Sequence, residues 1–382
     1  MSPTIEIRKA GFTNKGAAMM LLAAIQEVRR RLPGARLVVA ANYTTPFELR
    51  APLGLWHRAE LVKRGVDVLG PLVERVPAKL RERYGFVTEA EVDIILDAAG
   101  FAYSDQWGLG PAQDFAKRAE KWKRAGKKLI LLPQAFGPFE TPGIKEAMRR
   151  AADCADLIFA REQSSYDFLT GAVGARDTIR LAPDFTNVLR AVPTDRIAKG
   201  SGMVAIVPNA RMLDKAGDKE QGAYPAFLVQ VIRIVREAGL TPFFLVHETM
   251  EDGALARRLN DQVGAPLEII EADDPLVAKG LIAQCDALIG SRFHALVSAL
   301  SQSVPTIGTG WSHKYQELFR DYAYAEGLTR VDLDEAQIRA VLQPLLSIEG
   351  RQAISERLAV AAAQLKEDVS GMWDQVFRVI GA

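Results

Sequence analysis

Short apolar runs alternate with longer stretches whose apolar positions recur every three or four residues, and this alternation continues along most of the chain. Residues 5–7 precede a helical pattern over 17–32; apolar runs follow at 36–40, 94–96, 128–132 and 157–160. Runs this short and this apolar fit strands buried on both faces, and helical returns between them make the sheet mostly parallel. Over 189–202 the pattern gives way to Pro193, Thr194, Lys199, Gly200, Ser201 and Gly202, a boundary signal. The alternation restarts with strands at 203–207, 241–246, 267–270, 287–289 and 305–307, and with helices over 224–238 and after Glu251. Spacing over 354–380 fits one or two amphipathic helices. The pattern predicts an α/β protein of two doubly wound, Rossmann-like domains, 1–192 and 200–350. Helices in 351–382 are expected to pack back on the first domain. Two such domains facing a cleft would gather their strand ends around it, a common place for ligands.

Composition narrows the functional classes. The 382 residues carry 48 basic and 47 acidic side chains, so no global field recruits nucleic acid, which is not an expected partner. Cys154 and Cys285 are isolated in apolar surroundings and are expected as reduced thiols; no metal site and no cofactor is called for. The N-terminus lacks the apolar core of a signal peptide, and no apolar run approaches the ~20 residues that span a bilayer. The expected location is the cytoplasm. Peripheral contact with the inner face of a membrane, through an apolar and basic surface, stays open, as does a homo-oligomer.

Candidate chemistry sits where strands turn into helices. In Ser291-Arg292-Phe293-His294-Ala295, Arg292 and His294 stand two apart between an apolar strand and an apolar helix. Helix N-termini beyond the carboxyl ends of parallel strands favour anions, so this pair points to a phosphate or carboxylate. Alternatively, Arg292 pairs with an acid such as Asp286 and His294 caps the helix. Asn14 and Lys15, in Gly11 to Ala18, form a second turn able to approach an anion, although a plain βα turn explains it equally well. Asp97 and Asp105, with Tyr103 and Trp107, mix carboxylates and aromatic faces in a way that suits sugars; the alternative is a structural loop. Arg161 ends another strand, either directed to a ligand or paired with Glu162 or Asp184. His247 and Lys314 follow strands of the second half; His313 is undecided between helix entry and ligand contact. His57, beside Trp56, is expected on a surface segment without a role.

In order, the Asn-Lys-Gly turn, Ala160-Arg161-Glu162 with Ser165, Pro183-Asp184, and Ser-Arg-Phe-His-Ala followed by Pro305-Thr306-Ile307 and Lys314 resemble the polysaccharide pyruvyl transferase family. The resemblance spans roughly residues 11–318, and its most specific element is the Arg-x-His pair with the downstream proline and lysine. It implies a GT-B-like fold and transfer of a pyruvyl group from phosphoenolpyruvate to two sugar hydroxyls, forming a cyclic ketal. It also implies that Arg292 and His294 meet the phosphoenolpyruvate anion, that Arg161 matches a further family arginine, and that Asp97 lies near a family acidic residue. The first domain would then face the acceptor and the second the donor. His294 would act as acid and Asp97 as acceptor of a hydroxyl proton. Arg292, Arg161, Lys314, Asn14, Lys15, His247 and Asp105 would bind substrate. The expected acceptor is a nucleotide- or lipid-linked saccharide of a surface or exopolysaccharide precursor. The chain departs from the family pattern at Ala17 and at Ala98-Ala99, both in the first domain. Two other outcomes fit the same residues: a GT-B glycosyltransferase or sugar-nucleotide epimerase holding a nucleotide diphosphate, and a non-catalytic protein that keeps the anion pocket for binding or for assembly with an export complex.

Overall fold

The computed structural model describes residues 2–60, 62–63, 66–247 and 250–381. The chain forms two compact units: Met1–Phe185 with Asp368–Ala382, and Thr186–Glu367. Unit 1 contains strands β1 (Thr4–Arg8), β2 (Arg36–Ala40), β3 (Trp56–Arg58), the antiparallel pair β4 (Val62–Lys63) and β5 (Val66–Asp67), then β6 (Phe86–Val87), β7 (Ile94–Asp97), β8 (Lys128–Gln134), β9 (Leu157–Ala160) and β10 (Ile179–Leu181). Apart from that pair they form one parallel sheet in the order β10-β9-β8-β7-β1-β2-β3-β6. Unit 2 contains β11 (Met203–Val207), β12 (Thr241–Val246), β13 (Ile269–Glu271), β14 (Ala287–Gly290) and β15 (Thr306–Gly308), parallel in the order β13-β12-β11-β14-β15.

The central strands are covered on both faces, which is why they read as apolar runs without alternation. All four residues of β9 and of β14 are buried. The helix Lys15–Arg31 starts earlier than its apolar pattern because Asn14 caps it, its side-chain oxygen accepting the Ala17 N–H at 3.0 Å. Such a cap contributes about 1 kcal/mol, and Arg29 to Arg31 complement the dipole at the other end.

The C-terminal segment forms one helix, Ile348–Ile380, starting six residues before its expected apolar spacing. Its end is part of unit 1: Trp373 is fully buried with its ring 6.2 Å from Phe185, and Arg31 forms an ion pair with Asp374. Unit 2 begins at Thr186, ahead of the breaker-rich 189–202 stretch. Among the described residues, no helix is long and apolar enough to cross a membrane.

His57 is not on a surface segment as expected. It lies in β3, pairs with Phe86 in the sheet, and has its Nε2 3.2 Å from the Thr45 carbonyl. The polar sequence around it concealed a strand because the neighbouring charge is paired internally: Arg58 meets Glu6 at 2.9 Å and also Glu60. Burial, then the charge of Arg50, push the His57 pKa down from 6.5 to about 4, against the hydrogen bond to Thr45. A histidine depressed in the folded state stabilises fully above its unfolded pKa and loses that contribution as pH falls towards the folded value. Urea unfolding between about pH 6.5 and about 4 is expected to show stability falling with pH, and the fall should be shallower in His57→Gln.

Candidate functional site

In unit 2, β11 connects onward to β12 on one side while β14 returns on its other side, so the β11–β14 pair is the topological switch point. Ligands of doubly wound sheets bind beyond the carboxyl ends at this position. The two strands end with Val207 opposite Gly290, and a Cβ on Gly290 would stand 2.8 Å from the Val207 Cβ. Only glycine lets the backbones approach this closely.

Ser291 anchors the turn into which β14 runs. Its hydroxyl is 2.9 Å from the Tyr224 hydroxyl and 2.6 Å from Thr309 Oγ1. Its carbonyl accepts from Asn209 Nδ2 at 2.8 Å and from the Tyr315 hydroxyl at 3.0 Å, and Asn209 N–H donates to Tyr224 at 3.0 Å. Burial pushes both phenols well up, so they stay protonated donors. A buried network satisfied in this way holds the turn to one geometry.

Arg292 is the residue before the helix Phe293–Leu300 and has extended backbone. It makes a bidentate ion pair, Nε to Asp252 Oδ2 at 2.7 Å and Nη2 to Asp252 Oδ1 at 2.6 Å. Asp252, in the first turn of the helix Met250–Asn260, is fully buried and also accepts the Ala210 N–H at 2.9 Å. The partner of Arg292 is therefore Asp252 and not Asp286. Asp286 instead accepts N–H groups from Gly200 and Gly202. The Arg292 side chain is held by the protein yet keeps 16% exposure, so it is not sealed off as Asp252 is.

Lys314 is brought to the same turn. Its Nζ lies 5.4 Å from the Phe293 ring centroid, 5.6 Å from that of Trp311 and 5.3 Å from that of Tyr315, within cation–π range. His294, half-buried in the first helical turn, sits edge-on to Phe293 with ring centroids 5.4 Å apart. His247 is buried just after β12, the strand next to β11. His313 opens the helix His313–Asp321. Thus Arg292 and His294 share one turn, and Lys314, from the helix His313–Asp321, packs against Phe293 between them.

The unit 1 candidates separate into two groups. Asn14 and Lys15 begin the helix after β1, with Asn14 occupied as its cap. Asp97, Gln134 and Arg161 end or follow β7, β8 and β9: Gln134 donates to Asp97 at 3.4 Å and accepts the Arg161 N–H at 3.0 Å. Asp97 is fully buried and also accepts from Tyr103 at 2.9 Å. Burial raises its pKa against the charges of Arg8 and Lys9 and these hydrogen bonds. Asp97 therefore lacks the access that taking a proton directly from a substrate hydroxyl requires. Asp105 is also engaged: its two oxygens accept the N–H groups of Phe139 and Thr141, each at 2.6 Å, which clasps one loop to another. Arg161 is buried and pairs with Glu162 at 3.1 Å and Asp184 at 3.4 Å. Asp252 carries no local signal in the sequence, since it lies 40 residues from its partner in an ordinary acidic first turn. Among the described residues, no cluster of His, Cys, Asp and Glu is arranged to hold a metal.

Two parallel Rossmann-like units with a cationic turn at a switch point define a GT-B-type α/β protein. Solved structures with this fold include HepE of Anabaena in complex with UDP-glucose (12% identity, TM-score 0.56, covering 97% of this chain and 99% of that one). The pneumococcal O-GlcNAc transferase GtfA with UDP and GlcNAc is similar too (10%, 0.57, all of both chains), as is the Neisseria meningitidis UDP-GlcNAc 2-epimerase (9%, 0.56, 97% and 100%). No curated protein matches the chain in sequence. The profile of the polysaccharide pyruvyl transferase family matches residues 14–313, and the chain belongs to that family of transferases.

Removing one partner of a buried, hydrogen-bonded pair leaves the other uncompensated. Asp252→Ala should therefore lower the unfolding free energy by about 3 kcal/mol in denaturant titration.

Proposed function

We propose that the chain transfers the pyruvyl group of phosphoenolpyruvate to two hydroxyls of a saccharide, forming a cyclic ketal and releasing phosphate. The observation that carries this is the Asp252-anchored Arg292 beside His294 and Lys314 at the unit 2 switch point. Phosphoenolpyruvate is a small ligand with a carboxylate and a phosphate, and a guanidinium in fixed orientation recognises such oxyanions through directional N–H bonds. Lys314 adds a second charge, His247 a further polar group, and the N–H groups at the start of the helix Phe293–Leu300 favour the same sign.

In the reaction, the enol methylene takes a proton and becomes the methyl group. A sugar hydroxyl attacks the electron-poor C2, the C2–O bond to phosphate breaks, and the second hydroxyl closes the ring. Of the two hydroxyl protons released, one balances the methyl group and the other leaves with phosphate. His294 is the proposed proton donor, imidazole being the side chain most often used for general acid–base work. The acceptor in this proposal is a nucleotide- or lipid-linked saccharide unit of a surface polysaccharide precursor. Support comes from family membership and from the nucleotide sugars, UDP-glucose and UDP-GlcNAc, in two of the complexes of similar fold. Those complexes also motivate a second reading, a glycosyltransferase or epimerase that holds a nucleotide diphosphate at the same turn.

Phosphoenolpyruvate should raise the melting temperature; at 100-fold above its Kd, stabilisation is about 2.7 kcal/mol. A shift with UDP and none with phosphoenolpyruvate would select the second reading. His294→Gln should lower phosphate release by ~10²–10⁴-fold, and Arg292→Lys should weaken phosphoenolpyruvate binding by roughly 10-fold. Near-normal turnover in folded His294→Gln would falsify its role.

A further inference from the structure

Between β5 and the edge strand β6, unit 1 carries two short helices, Gly70–Val73 and Ala78–Arg83, joined by a turn through Pro77. No residue of the second helix is buried, although it contains Leu80 and is capped by Tyr84. Leu72, Leu80 and Tyr84 are 58%, 46% and 65% exposed. Arg75, Lys79 and Arg83, spaced four apart beside them, are exposed too, and among the described residues their side chains make no ion pair. We infer that this surface docks the chain on an anionic lipid bilayer. Leu72, Leu80 and Tyr84 enter the headgroup layer, and the three cations meet lipid phosphates.

The geometry of the second helix sorts its side chains by face. At 3.6 residues per turn, successive positions stand about 100° apart, so Lys79, Arg83, Leu80 and Tyr84 fall within an arc of about 140°. Arg81 and Glu82 lie on the other side and tie the helix to the rest of the unit. Arg81 meets Glu91 at 2.6 Å and donates to the Val76 carbonyl, and Glu82 meets Arg36, at the start of β2, at 3.6 Å. Polar side chains therefore hold the helix from beneath, and its outer arc is left apolar and cationic.

The charge pattern selects a lipid surface over a protein partner. The cores of protein interfaces are depleted in lysine and in unpaired charge, whereas here three cations are interleaved with the apolar side chains. At a bilayer, long basic stems let the charged heads stay among phosphates while carbon and ring enter the interfacial layer, a depth that also favours tyrosine. Only two acids occur in residues 70–84: Glu82 is taken by Arg36, and Glu74 stands against three unpaired cations. Each cation near an anionic membrane is expected to strengthen binding about 5-fold. Docking itself does not rest on the transferase proposal. On that proposal, a seated chain would meet an acceptor that the membrane carries on a lipid.

The test is co-sedimentation of the full chain with vesicles of phosphatidylcholine alone and of equal parts phosphatidylcholine and phosphatidylglycerol. Binding is expected to the anionic vesicles, and it should weaken at about 1 M salt, where the Debye length falls to roughly 3 Å. Lys79→Gln with Arg83→Gln should weaken it about 25-fold, and Leu80→Ser with Tyr84→Ser about 10-fold. All four side chains are exposed, so melting temperatures should not change. Lys117→Gln with Lys145→Gln, at exposed positions of the helices Leu109–Arg124 and Ile144–Ala152, removes the same charge and should leave binding within about 2-fold. No binding to the anionic vesicles, binding that survives both patch variants, or an equal loss in the lysine control overturns the inference. So does a dimer in sedimentation velocity that Leu80→Ser with Tyr84→Ser dissolves, which would assign the patch to a second copy of the chain. The phosphoenolpyruvate melting shift, measured on the same protein, reports on the transferase proposal separately, so either can fail alone.

Discussion

An arginine carries its charge on a long flexible stem, and a site that needs directional N–H bonds must restrain it. In unit 2 the restraint is one buried carboxylate. Asp252 takes two parallel bonds from Arg292 and a third from the Ala210 backbone, so its acceptor contacts come from two separate segments of the unit. Dehydrating such a carboxylate costs several kcal/mol, and the pair returns that cost only with good geometry and with its other lone pairs engaged. Both conditions are met. The net gain in stability is small, and what the pair supplies is orientation.

That orientation depends on backbone position as well. Arg292 comes directly after Ser291, whose hydroxyl and carbonyl are bound by Tyr224, Thr309, Asn209 and Tyr315, residues drawn from four separate segments of unit 2. The close approach of β14 to β11 at Gly290 sets where this network can form. A buried polar network with one member removed is worse than none, because the groups left behind cannot find water. The Ser-Arg-Phe-His turn is thus held from its backbone and from its guanidinium, by elements far apart in sequence.

Local features were legible in the chain, and distant ones were not. The α/β alternation and the placement of Arg292 and His294 between a strand and a helix follow from patterns a few residues long, and the GT-B-type fold agrees with them. Asp252 was invisible because its partner is 40 residues away and its own surroundings look like any acidic helix start. Asp105 stood out for its company of aromatics and glycines, yet its oxygens hold loop N–H groups, a use that only the folded loops reveal. His57, beside Trp56, reads as part of a surface segment because nothing within a few residues shows that the neighbouring arginine is paired. In the fold, Arg58 is buried between Glu6 and Glu60, and the polar run becomes a strand. Burial of charge is a property of pairs, and a single sequence does not state which pairs form.

The strand ends of the two units differ in the sign of what they present, and this difference supports two kinds of ligand better than two copies of one. Beyond β11 and β14 the carboxylate is fully buried behind its arginine, while Arg292 keeps partial exposure and Lys314 lies against three aromatic rings. A ligand there would meet positive charge first. Beyond β1 and β2, Glu6 and Glu60 line a cavity beside Arg8 and Lys9, and both carboxylates are already paired with arginines, so a ligand would meet a wall whose charges are largely compensated. Coulomb attraction for a doubly negative donor is strong in the first setting and partly cancelled in the second, whereas a neutral polyol is indifferent to net charge and gains from mixed hydrogen-bonding partners.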